Sequence, residues 1–80
     1  MKKEHPLISS LRGSLPAVFT REEAARQLGG LLSARTLANM DSHGTGPTLK
    51  QRIGKKVAYE RETFLSWLKS RFDTCTNFNR

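Results

Sequence analysis

Thr20-Arg-Glu-Glu-Ala-Ala-Arg-Gln-Leu-Gly-Gly-Leu-Leu-Ser-Ala-Arg-Thr-Leu-Ala-Asn-Met-Asp-Ser-His-Gly44 is the stretch on which the fold turns. Thr20 followed by Glu23 has the form of a capping box. The Thr20 hydroxyl accepts from the Glu23 N–H, and the Glu23 carboxylate reaches back to Thr20. Glu22 and Glu23 also suit the positive end of the helix dipole. Ala24, Ala25 and Leu28 then face inward, their small size allowing a second helix to approach, and Gly29-Gly30 stops the helix. Leu31 and Leu32 are expected to be buried in the connection. Ser33 opens a second helix over 34–43, and Gly44 closes it in the left-handed conformation.

Leu37 and Met40 give this second helix a narrow apolar stripe, while Arg35, Ala38, Asn39 and Ser42 fall on another face. That face is small, hydrogen-bonding and singly charged. Such a surface suits the edges of base pairs: Arg reads guanine, Asn reads adenine, and an Ala methyl meets a thymine methyl. An ordinary solvated helix face has the same composition, so the neighbouring segments decide. Helix, glycine-bearing turn, helix is the helix-turn-helix order, which a plain helical hairpin shares.

His43 to Pro47 reads as a loop, with His43 complementing the helix C-terminus. A phosphate-binding loop is excluded there, because Leu49 stands where a glycine is required before Lys50 and no strand precedes it. Residues 49–53 and 56–59 alternate with period two around Gly54-Lys55, as in a hairpin with a type II′ turn. The alternation assigns Leu49, Ile53, Val57 and Tyr59 to one face and Lys50 and Arg52 to the other, with Lys55 at the tip beside Lys56. A ribbon with cations on its outside and tip can grip a sugar-phosphate backbone or a minor groove. Lysines that merely keep a sheet edge soluble are the competing explanation.

From Glu60 to Phe72, Phe64, Trp67, Leu68 and Phe72 recur at three and four, with Leu65 at the margin, so a final amphipathic helix is expected. Trp67 belongs to the core on this spacing rather than to a stacking platform. Residues 1–17 are expected to be a mobile arm, since Pro6, Gly13 and Pro16 cut Leu7, Ile8 and Leu11 into pieces too short to stand alone. Leu15 to Phe19 are expected to lie against the core. Residues 18–72 form the domain, and 73–80 lack any period and should fray.

Eighty residues make one small domain. The net charge is +7, and between Ser33 and Lys56 five basic residues (Arg35, Lys50, Arg52, Lys55, Lys56) face one acid, Asp41. Clustered positive charge attracts a polyanion, nucleic acid before membrane. The single cysteine, Cys75, has neither a disulfide partner nor metal-ligand spacing, which fits a reducing cytoplasm. The Met-Lys-Lys start looks like the basic end of a signal peptide, but Glu4, His5, Pro6 and the lack of a long apolar run argue against one. No stretch is long enough to cross a membrane.

With these elements in order, the chain resembles the excisionase and AlpA-type prophage regulators, whose winged helix-turn-helix is similar to the DNA-binding part of the MerR regulators. The matching residues are Phe19 to Ala25, Leu28-Gly29, Ser33 to Leu37, Gly44 to Pro47, Ile53 to Tyr59, Phe64 and Trp67-Leu68. The resemblance implies a mainly α fold with a small β-hairpin, a winged helix-turn-helix. It places the 34–43 helix in the major groove and the 49–59 wing on the backbone or minor groove. By position, Ser33, Arg35, Thr36 and Asn39 contact DNA from the helix, and Lys50, Arg52, Lys55 and Lys56 from the wing. The Gly29 to Leu32 turn is longer than is common in the family. The long dimerisation helix and effector cysteines of full MerR regulators are absent from this chain.

The expected function is therefore a non-enzymatic duplex-DNA binder, a small bacterial or prophage regulator or excisionase-like factor. It is expected to act as a dimer or cooperative array on DNA, with an integrase or recombinase as a further partner, and without cofactor, metal or membrane. The alternative is a winged-helix protein-interaction module using an apolar patch around Leu31-Leu32 or Leu7 to Leu11. Catalysis lacks a nucleophile–base pair, and RNA binding lacks an exposed aromatic platform.

Overall fold

The computed structural model describes residues 4–72, which form four helices and a three-stranded antiparallel sheet. In chain order these are α1 (Pro6–Ser14), β1 (Val18–Thr20), α2 (Arg21–Gln27), α3 (Ala34–His43), β2 (Lys50–Ile53), β3 (Lys56–Glu60) and α4 (Arg61–Ser70). The strand order is β1-β3-β2. Among the described residues no helix is long and apolar enough to cross a membrane.

The start of the chain departs from the expected mobile arm over 1–17: residues 6–14 are helical. His5 caps α1 by accepting from the Leu7 N–H at Nδ1, and Pro6 occupies the first turn, where its missing N–H costs nothing. Ile8 and Leu15 are buried and Leu11 half-buried, so one stripe of α1 seals the core beside α4. Each fully buried aliphatic side chain contributes about 1.5–3 kcal/mol, which offsets the weak intrinsic helicity of a nine-residue segment containing Gly13. Arg12 bridges Glu4 and Glu62, and Arg61 Nη1 donates to the Leu15 carbonyl at 3.1 Å. The expectation of fraying over 73–80 lies outside the described residues.

Thr20 caps α2 as expected, accepting from the Glu23 N–H at 3.2 Å. The reciprocal arm of the box is not made, because the Glu23 carboxylate turns to Gln27 and Arg26. Ala24 and Leu28 are buried. Gly29 and Gly30, at φ +61° and +97°, reverse the chain in a conformation that β-carbons oppose. Leu31 departs from expectation: it is 71% exposed, and only Leu32 packs on the core.

The hairpin is joined by residues 18–20 to make a third strand. Val18 pairs with Glu60, Phe19 with Tyr59 and Thr20 with Ala58. Gly54 at φ +63°, with no positive φ at Lys55, fits the expected type II′ turn. The face assignment is overturned. Ile53 pairs with Lys56, Arg52 with Val57 and Lys50 with Tyr59, and paired residues share a face. Across a two-residue turn odd positions therefore meet even ones. Lys50 and Arg52 stand on the Val57–Tyr59 face, whereas Ile53 is turned away and 67% exposed, and Leu49 is 53% exposed.

Phe19, Tyr59 and Phe64 meet at the centre of the core, edge-on or tilted, with centroids 5.1–6.1 Å apart. Leu65 and Leu68 complete it from α4, and Leu37 from α3. Trp67 packs on this core, 5.4 Å from the Phe64 ring, and donates Nε1–H to the Thr45 carbonyl at 2.8 Å. The indole thus secures the loop after α3.

Candidate nucleic-acid interface

Helix α3 is built to expose one side. Ser33 Oγ accepts from the Thr36 N–H at 3.0 Å and lies 3.0 Å from the Thr36 hydroxyl, so both of these expected contact residues are engaged in capping. Leu37 is fully buried, and opposite it Arg35, Asn39, Ser42 and His43 are exposed. Arg35 and Asn39, four residues apart, stand one above the other. At the far end Gly44 takes φ +78°, the Gly44 and Thr45 N–H groups donate to the Asp41 and Met40 carbonyls, and His43 Nδ1 lies 2.7 Å from the Asn39 carbonyl.

The hairpin presents Arg52, Lys55 and Lys56 to solvent. Among the described residues Arg35, Arg52 and Lys55 make no ion pair, and Lys56 meets Glu22 only at 3.8 Å with both side chains more than half exposed. Such a contact holds little energy. Lys50 differs. Its ammonium donates to the Pro47 carbonyl at 3.2 Å and lies 3.8 Å from Asp41 Oδ1.

Between helix and hairpin lies a cluster that reasoning from sequence missed. Asp41 Oδ2 accepts from Arg21 Nη2 at 2.7 Å and from the Tyr59 hydroxyl at 2.8 Å, while that hydroxyl accepts from Arg21 Nε at 3.1 Å. Burial pushes the Tyr59 phenol up to about 12, with Asp41 adding to the shift and Arg21 opposing it. Burial works to lower Arg21, but its hydrogen bonds to Asp41 and Tyr59 prevail and hold it above its ordinary value. Both shifts favour the protonated forms that make these bonds. One carboxylate therefore ties the start of α2, the last turn of α3 and the middle strand together. Its signal in the sequence was its isolation, one acid within a run of five cations.

Gly46 lies so close to this carboxylate that a β-carbon would collide with Asp41 Oδ1. Among the described residues no three His, Cys, Asp or Glu side chains assemble a metal-binding set. No protein-family model, curated protein or solved structure matches the chain.

Proposed function

We propose that this protein is a non-enzymatic, sequence-selective binder of duplex DNA, a winged helix-turn-helix regulator or excisionase-like factor of bacterial or prophage type. The observation carrying this reading is the pairing of two exposed projections held by one buried carboxylate. Arg35 and Asn39 line the open side of α3, Arg52, Lys55 and Lys56 cover the hairpin, and Asp41 joins the two. In this reading Arg35 and Asn39 meet base edges in the major groove. Ser33 and Thr36 approach the backbone from the helix end, and the hairpin cations meet phosphates. A domain of this size reads few base pairs, so it binds repeated sites as a dimer or cooperative array.

Selection of binding sites from random duplex DNA tests this directly. The selected duplex should lose about a thousandfold in affinity between 50 and 200 mM salt if five to seven phosphates are contacted. The double substitution Lys55→Glu/Lys56→Glu should abolish binding. Failure to enrich any sequence, with affinity indifferent to salt, would refute the proposal.

A second reading, a protein-interaction module, draws on one observation. Leu7 and Leu31 are 55% and 71% exposed and line a single apolar cleft of about 200 Å³ with Leu11, Leu28, Leu68 and Phe72. A partner bound there would be indifferent to the Lys55→Glu/Lys56→Glu change.

A further inference from the structure

An acid inside a polyanion-binding surface is unfavourable unless it has another task. Asp41 has such a task by position: its side chain is 6% exposed, and it is bonded to Arg21 at the start of α2 and to Tyr59 in β3. Its second oxygen, Oδ1, is buried without a hydrogen-bond partner. That oxygen is covered by Gly46 and faced by the Lys50 ammonium at 3.8 Å, too long for a hydrogen bond but within ion-pair range. A buried carboxylate oxygen without a donor is costly, and the nearby ammonium offsets part of that cost. Lys50 is thereby drawn inward. The four segments that meet at Asp41 are α2, α3, the 44–48 loop and the β2–β3 hairpin.

Resting on the DNA-binding reading, we propose that Asp41 is the positioning residue that fixes the angle between α3 and the hairpin, and that Lys50 belongs to this lock rather than to the phosphate-gripping cations. The two kinds of cation differ in a measurable way. Losing a phosphate contact lowers the salt slope of binding by about one. Losing a positioning contact lowers affinity by one factor at every salt concentration. Charge alone sets the opposite expectation for Asp41→Asn, since removing a negative charge should tighten binding to DNA.

The test uses the full chain and a duplex from random-sequence selection, titrated at several salt concentrations. Asp41→Asn should weaken binding about tenfold, the value of one good base contact, with the slope unchanged. Lys50→Met should weaken it less, again with the slope unchanged, whereas Lys55→Met should lower the slope by about one. The chain has one tyrosine, so its alkaline absorbance titration reports independently on whether the carboxylate's hold on the Tyr59 hydroxyl has been lost. Asp41→Asn binding as tightly as the parent while that titration moves to lower pH would overturn the proposal. So would Lys50→Met lowering the slope as Lys55→Met does. If Asp41→Asn fails to fold, Tyr59→Phe and Lys50→Met carry the same comparison. If the parent chain binds no duplex, the functional reading falls, and residual dipolar couplings of the free protein judge the lock: an unchanged α3–hairpin angle in Tyr59→Phe overturns it.

Discussion

β3 and β2 are neighbours joined by two residues, yet their surroundings differ. Val57 and Tyr59 of β3 are 6% and 1% exposed, while every residue of β2 is exposed, Ile53 included. The cause is place in the sheet. β3 is paired on both sides and lies over the core, whereas β2 is an edge that, unlike the other edge β1 with its buried Phe19, has no buried side chain. β2 keeps its alternation but has little body beneath it, so apart from Lys50, which Asp41 draws inward, its side chains face solvent whatever their polarity.

Tyr59→Ala should break this contrast most severely. Loss of a buried aromatic ring costs about 3–5 kcal/mol, while Arg52→Ala on the paired strand should change stability by less than about 0.5 kcal/mol. Urea denaturation measures both, and equal losses would show β2 to be as embedded as β3. Alkaline pH gives the next effect. Below pH 10 the tyrosine keeps its proton whether the chain is folded or not. Between 10 and about 12 only the folded chain keeps it, so stability falls through that window and levels off above it. Compared with Tyr59→Phe at each pH, the parent should lose about 3 kcal/mol at most, and a constant difference would contradict the burial of the phenol. The smallest effect belongs to Ile53→Thr, which should leave the melting temperature nearly unchanged, within about 0.5 kcal/mol. A large loss there would mean that the outer sheet face is covered in solution.

What the sequence made legible was local. Thr20 and Ser33 announce helix starts because a cap acts within three residues, and Gly44 and Gly54 mark reversals because the strain of a positive φ belongs to one residue. The Phe64 to Phe72 spacing carries α4 for the same reason. Contacts across long separations were not legible. α1 depends on the packing of Ile8 and Leu15 and on Arg61 and Glu62, about fifty residues on, and β1 is only three residues whose partners lie forty positions away. The hairpin faces were misassigned because period two was counted straight through the turn, where pairing of residues 53 and 56 changes the parity. In the candidate interface, Arg35, Asn39, Arg52, Lys55 and Lys56 were visible as exposed polar residues. The Asp41 cluster was not, since Arg21, Asp41 and Tyr59 share no segment.

The ring of His5 stands edge-on against that of Phe72, their centroids 4.9 Å apart. The cap of α1 and the second residue past α4 thus share one corner of the molecule. The chain therefore enters this body at His5 and leaves it at Phe72 from one corner, like two cords from one socket. A linker of a few residues running from Phe72 back to His5 would close the body between them into a ring, and a cut in an exposed loop would then give a permuted order of the same elements.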